Sequence, residues 1–275
     1  MRKLAGGLVF MHLIFIRHGD PDYTIDSVTE KGKKELELLA DRLAGFNATE
    51  FYVSPMGRAQ KTAEACLSKL NVDMAKQPVP VTTLPWLREF SYDCVDPKTK
   101  KTRLCWDNMP HDYYEEKKYR SDKKWFTTKL MKSGNIEGHY KEVCDGLDGI
   151  LSSWDYNRLS KDIPIYNCFP NLTTEEAAID THLQAEQKDL DKKNLVFVCH
   201  LGVMFAMISH LTGMSPVQLW QGFFVAPSSI TVVGAEERVP GEVVWRVQRM
   251  GDVSHLESNG ESASASGYFG NYLKI

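Results

Sequence analysis

The sequence lacks the short motifs that mark the commoner phosphate and hydrolase chemistries. No G-x-x-x-x-G-K-[ST] run occurs, which removes a P-loop. No cysteine is followed six positions later by arginine, so the cysteine-phosphatase signature is missing. H-E-x-x-H and G-x-S-x-G are absent too, which removes the zinc-protease helix and the hydrolase elbow. None of the 6 cysteines pairs as C-x-x-C, so a zinc ribbon is unsupported. Asp20, Asp22 and Asp26 cluster, but their spacing matches no calcium loop, and they read as polar loop. No metal and no cofactor are expected.

Charge of one sign and long apolar runs are also scarce. A formal net charge of −3 excludes a strongly basic nucleic-acid binder. The opening "MRKLAGGLVFMHLIFI" is basic and then apolar, but it has no A-x-A cleavage site. It is also too short and too glycine-interrupted for a membrane span. Met11 is a candidate natural start, since "MHLIFI" is already a complete strand, and residues 1–10 would then be a leader. Cysteines in apolar surroundings behave as small hydrophobes. Reduced thiols and no secretion signal point to a cytoplasmic protein, in which the sequons at Asn47 and Asn171 carry no weight.

What is present is a single domain of ordinary globular composition, 275 residues with 43% apolar and 25% charged. His12 to Ile16 reads as a buried strand. Ser27-x-x-Glu30 offers a capping box, followed by Leu36, Leu39, Ala40 and Leu43 at helical spacing. "TEFYVSP" is a strand closed by Pro55, and Ala59, Ala63, Cys66, Leu67 and Leu70 form the next helical face. "VPVTTLPWLREF" is extended. A second capping box at Thr173-x-x-Glu176 opens a helix to about Leu190. "NLVFVCH" is a strand ending at His200, and "GVMFAMISHLTG" a buried helix. "SSITVVGA" and "EVVWRVQRM" are strands joined by a hairpin across "EERVPG". This alternation predicts an α/β sandwich with a mainly parallel sheet. Ligands bind such sheets beyond the strands' carboxyl ends. There the sequence puts Arg17 and His18, then Ser54 to Arg58, then His200.

From about 93 to 170 the pattern loosens into an inserted, cap-like region. Between Asp96 and Lys132 it carries 11 Lys/Arg against 6 Asp/Glu, mixed with aromatics. Three readings stand: a solvated surface with aromatic anchors, a cap over an anionic substrate, and a nucleic-acid patch. Interleaved acids weigh against the last. The tail, about 257–275, is low in complexity and reads as mobile.

Arg58 falls in the first turn of its helix, where the macrodipole disfavours a cation. Either a neighbouring acid holds it, or an anion sits between it and the helix N-terminus. Arg17 could supply a second guanidinium, and two such forks match phosphate oxygens.

These segments resemble, in order, the motifs of the histidine phosphatase, or phosphoglycerate mutase-like, superfamily. "FIRHG", "SVTEKGKKE", "VSPMGRAQKTAE", "LREF" and "VFVCHLGVM" are similar to its blocks and span residue 12 to about 215. The resemblance implies a three-layer α/β/α sandwich and a metal-independent phosphatase of phosphomonoesters working through a phosphohistidine. It implies His18 as nucleophile, Arg17, Arg58 and His200 with His18 around the phosphate, and Glu89 as proton donor. A mutase, or a phospho-ligand-binding protein without turnover, are the alternatives. The partners implied are a small phosphorylated substrate and inorganic phosphate, with no nucleic acid and no membrane.

Two departures stand out. Asp20 and Pro21 replace the family's usual Glu-Thr, and Leu201 replaces the glycine after the second histidine. The two arginines would lower the Glu89 pKa, whereas a bound phosphate or burial beside Trp86 and Phe90 would raise it. Asp20 is the second candidate acid.

Overall fold

The computed structural model describes residues 9–70, 78–168, 193–270 and 272–273. Residues 1–8 of the candidate leader 1–10 and the helix expected from Thr173 to about Leu190 lie outside the described residues. Among the described residues the central sheet has eight strands. One half is parallel: β1 (Val9–Arg17) pairs β10 (Lys193–Cys199), which pairs β4 (Glu50–Val53), which pairs β5 (Val81–Thr83). The other half is antiparallel: β11 (Ile230–Val239), β12 (Glu242–Asp252), β9 (Ile163–Asn167) and β8 (Asn157–Ser160) follow on the far side of β1. Short hairpins β2 (Pro21–Asp22) with β3 (Ser27–Val28), and β6 (Asp93–Val95) with β7 (Thr102–Leu104), stand outside it. The α/β sandwich is therefore formed, and its parallel pairing falls on the strands that carry the sequence motifs.

Alternation along each central strand divides the core into two layers. Ile14, Ile16, Phe51, Val53, Val196 and Val198 face helices α1 (Glu30–Leu43) and α2 (Gly57–Leu70). Leu13, Phe15, Leu195 and Phe197 face the opposite layer. Being buried on both sides, these strands read as nearly continuous apolar runs. That second layer holds α5 (Ile136–Ser153) and α6 (Leu201–Thr212). Nine residues of α6 are buried, which explains why its sequence shows no polar face. Phe197 stacks between Phe15 and Tyr52, with ring centroids 5.2 and 5.1 Å away. Phe197→Ala should cost about 3–5 kcal/mol of stability, read by urea denaturation. A loss below about 1 kcal/mol would mean that this layer repacks freely.

Details depart from the sequence reading. Thr29, not Ser27, caps α1, its hydroxyl accepting from the Gly32 amide at 3.0 Å. β11 runs on to Val239, so the hairpin turn shrinks to Pro240 and Gly241. The region 93–170 divides in two. Its first part holds β6, β7, α3 (Pro110–Glu115) and α4 (Lys129–Ser133), while α5, β8 and β9 build into the sandwich itself. Glycines at 138, 146 and 149 and charges on its outer face had masked α5 as a layer-forming helix. Two further helices, α7 (Pro216–Gly222) and α8 (Ser254–Glu257), follow α6 and β12. All six cysteines are free thiols, and burial pushes the Cys66 thiol up to about 12. Among the described residues no helix is long and apolar enough to cross a membrane.

Candidate active site

Strand register brings the sequence candidates together. Arg17 pairs with Cys199 across β1 and β10, so the next residues, His18 and His200, emerge side by side. The His18 amide bonds the Cys199 carbonyl at 3.0 Å, and the Ser54 amide bonds the Val198 carbonyl at 3.0 Å. The two imidazoles end 5.0 Å apart, centroid to centroid. Ser54 Oγ and His200 Nε2 share a 2.7 Å hydrogen bond. Beyond β5, a single turn over Pro85–Leu87 places Glu89 at the same edge. All four parallel strands thus deliver a chemical group at their carboxyl ends, as doubly wound sheets favour.

His18 is 1% exposed, and its Nδ1 donates to the Gly19 carbonyl at 2.8 Å. That bond fixes the tautomer: Nδ1 carries the hydrogen and Nε2 the lone pair. Burial holds His18 well below the ordinary imidazole range, and Arg17 and Arg58 push in the same direction against the Gly19 bond. Burial likewise depresses His200, with His18, Arg58, Arg17 and exposed Arg88 adding to it. Both rings are therefore neutral near pH 7. The Gly19 amide donates to Thr62 Oγ1 at 3.0 Å, and that hydroxyl donates to the Arg58 carbonyl at 2.8 Å, tying the loop to α2.

The two guanidiniums are buried but held differently. Arg17 gives Nη1 to the Val225 carbonyl at 2.7 Å and Nη2 to the Ser266 carbonyl at 2.9 Å. Arg58 gives Nη1 to Asp26 Oδ1 at 2.5 Å, and Asp26 Oδ2 accepts from the Gly57 amide at 2.7 Å. The Asp26 carboxylate thus caps the N-terminus of α2 and explains how a cation stands there. Tyr23 lies over Arg58, 5.4 Å from ring centre to guanidinium carbon. Arg17 Nε, Arg58 Nε and His200 Nδ1 are buried without a hydrogen-bond partner among the described residues. Buried polar atoms are rarely left so, and a ligand is one way to satisfy them.

Glu89 settles a sign that the sequence left open. Burial raises its pKa, against the Phe90 amide, Arg17, Arg58 and the Val203 amide, and the net shift is upward. Its Oε1 accepts from the Phe90 amide at 2.7 Å and the Val203 amide at 3.3 Å. A Cβ on Gly202 would lie 2.5 Å from that oxygen, so the glycine beside Leu201 is what admits the carboxyl. Asp20 is not placed as an acid. Its Oδ2 accepts from Thr29 Oγ1 at 2.7 Å, and its Oδ1 accepts from Ser264 Oγ. Both oxygens are occupied by hydroxyls of α1's cap and the tail.

Sequence reasoning had quoted Ser54 and Thr62 inside motifs without giving them a task, although Thr62 follows Arg58 by one helical turn. It missed Asp26 as a partner, because no local spacing links residues 26 and 58. Nor could it find the carbonyls of Val225 and Ser266, since every residue carries one.

The arrangement is a basic, buried cluster with one imidazole lone pair, a second neutral imidazole and a carboxyl biased toward its protonated form. Together with the sandwich, it defines a phosphoglycerate mutase-like α/β protein. Residues 13–128 match the sequence model of the histidine phosphatase superfamily, branch 1, the family that the motifs resemble. No curated protein matches the chain significantly. Among solved structures, a protein described as mycobacterial hydrolase 2 aligns with a TM-score of 0.53 at 14% identity, covering 93% of each chain. Phosphoserine phosphatase of Entamoeba histolytica, in complex with 3-phosphoglyceric acid, aligns at 0.52 and 17% identity, covering 90% of this chain and 99% of its own. YhfR of Bacillus stearothermophilus aligns at 0.51 and 15%, covering 89% of this chain and 98% of its own. At these identities the likeness is one of fold.

Proposed function

We propose that this protein is a metal-independent phosphatase that hydrolyses a phosphomonoester through a phosphohistidine at His18. The observation that carries the reading is the His18 ring: buried, neutral, with Nδ1 committed to the Gly19 carbonyl and Nε2 left with its lone pair. In the first step Nε2 attacks phosphorus, the ester P–O bond breaks, and Glu89 gives its proton to the leaving alkoxide. The phosphorylated ring gains positive charge, which strengthens the Nδ1–H bond to Gly19. In the second step the Glu89 carboxylate takes a proton from water as that water attacks phosphorus. The P–N bond breaks, inorganic phosphate leaves, and Glu89 is protonated again. Arg17, Arg58 and His200 face the charge on the transferring group, the electrostatic task that dominates phosphoryl transfer.

Because guanidiniums supply that charge, turnover should persist undiminished in excess chelator. The test is a panel of phosphomonoesters assayed with chelator for phosphate release. Phosphoserine and 3-phosphoglycerate head the panel, being the compounds named with the Entamoeba phosphatase. Loss of activity with chelator and recovery with one divalent ion would refute metal independence. Rearranged phosphate esters without free phosphate would point to a mutase.

A further inference from the structure

Two features of the sequence have no task in this scheme: Asp20, where the chain leaves the family pattern, and the serine-rich tail. In the structure they meet. Ser264 Oγ donates to Asp20 Oδ1 and accepts from the Ser266 amide at 3.1 Å. The Ser266 carbonyl then accepts from Arg17 Nη2 at 2.9 Å. One hydroxyl thus links the loop after β1 to the carbonyl that holds the guanidinium. The segment is pinned on either side. Lys31 Nζ reaches Glu261 at 2.8 Å and the Ser262 carbonyl, and the Tyr268 ring sits 5.0 Å from Phe224, over which Arg17 also lies. Gly267 has φ +88°, and a Cβ there would approach Arg17 Nη2 to 3.2 Å. Within the tail expected to be mobile, about 257–275, residues 261–268 therefore make specific contacts.

The partners chosen for Arg17 matter chemically. A carboxylate would orient the fork but cancel its charge. Backbone carbonyls orient it and leave the full positive charge for an incoming anion. We propose that residues 261–268 form a strap that sets Arg17 for phosphate, with Asp20 and Ser264 as its latch. Both are positioning residues, acting through Arg17. The inference rests on the reading of Arg17 as a phosphate ligand.

The test measures inorganic phosphate affinity by calorimetry, and kcat/KM on the best ester, for wild type, Ser264→Ala, Gly267→Ala, Arg17→Lys and Ser264→Ala/Arg17→Lys. Ser264→Ala should weaken both about tenfold, as misplacing a binding group does, with the thermal midpoint retained. Gly267→Ala keeps the latch but crowds the fork, and should give a similar loss even where Ser264→Ala folds poorly. In the Arg17→Lys background Ser264→Ala should add nothing, because lysine has no fork to orient. Unchanged phosphate affinity in both single variants, or an equal further loss in the lysine background, would overturn the strap. If wild type binds phosphate but hydrolyses no ester, while the variants bind it more weakly, the strap stands and the phosphatase reading falls. If wild type forms phospho-His18 and the variants match it, the strap alone falls. No phosphate binding by wild type overturns both.

Discussion

His18→Ala is expected to lower phosphate release by roughly 10⁴-fold or more, the scale seen when a covalent nucleophile is removed. The same change should erase a phosphoenzyme label that is stable in base and labile in acid, as a P–N bond is. The size follows from the architecture. Among the described residues the other imidazole at the carboxyl edge of the sheet, His200, has its Nε2 engaged with Ser54 at 2.7 Å. The Arg17 and Arg58 side chains remain in the variant, so phosphate should still bind. Binding without turnover would separate the nucleophile's role from the pocket's. A label that persists in His18→Ala, or hydrolysis within about tenfold of wild type, would remove His18 from the mechanism.

Glu89→Gln is the second large effect, about 10²- to 10⁴-fold in kcat. The loss should be greatest for alkyl esters and small for aryl esters, whose leaving groups depart without a proton. The pH profile carries the sign. Burial raises Glu89 above the usual carboxylate range, so its proton is present below that raised value and is lost as pH climbs through it. Burial and Arg17 depress His18, so its lone pair survives well below the ordinary imidazole value and is lost only at lower pH. Activity in kcat/KM should therefore fall on the alkaline side as Glu89 ionises, and on the acid side as His18 protonates. Glu89→Gln should flatten the alkaline limb and leave the acid limb. An alkaline limb that is unchanged in Glu89→Gln would assign it to another group.

How much of this could be read beforehand depends on the kind of contact. His12–Ile16 and "NLVFVCH" were legible as strands because apolar runs bounded by turns leave few alternatives. Their motifs told where His18, Arg58 and His200 would gather, since parallel strands share a carboxyl edge. The direction of the Glu89 shift was not legible, because it is a difference between burial and four opposing interactions. Asp20 was misjudged as a possible acid because a carboxylate near a histidine looks chemical until its oxygens are seen to be occupied. The region 93–170 reads from the sequence as one insert, yet α5 joins the sandwich while α3 lies on the surface. Composition reports solvent preference, not which elements will neighbour one another.

The bond from Arg17 to Ser266 spans 249 residues, and the latch from Asp20 to Ser264 spans 244. Loop closure over such separations comes late in folding, and synthesis makes it later still. A nascent chain can complete β1, β4 and β10, and so bring its two histidines together, while residues 264–266 are still inside the ribosome. At that stage the imidazoles would be in place and Arg17 would lack one of its two carbonyl partners. Maturation of the site is then timed by the arrival of residues 264–266, not by closure of the sheet.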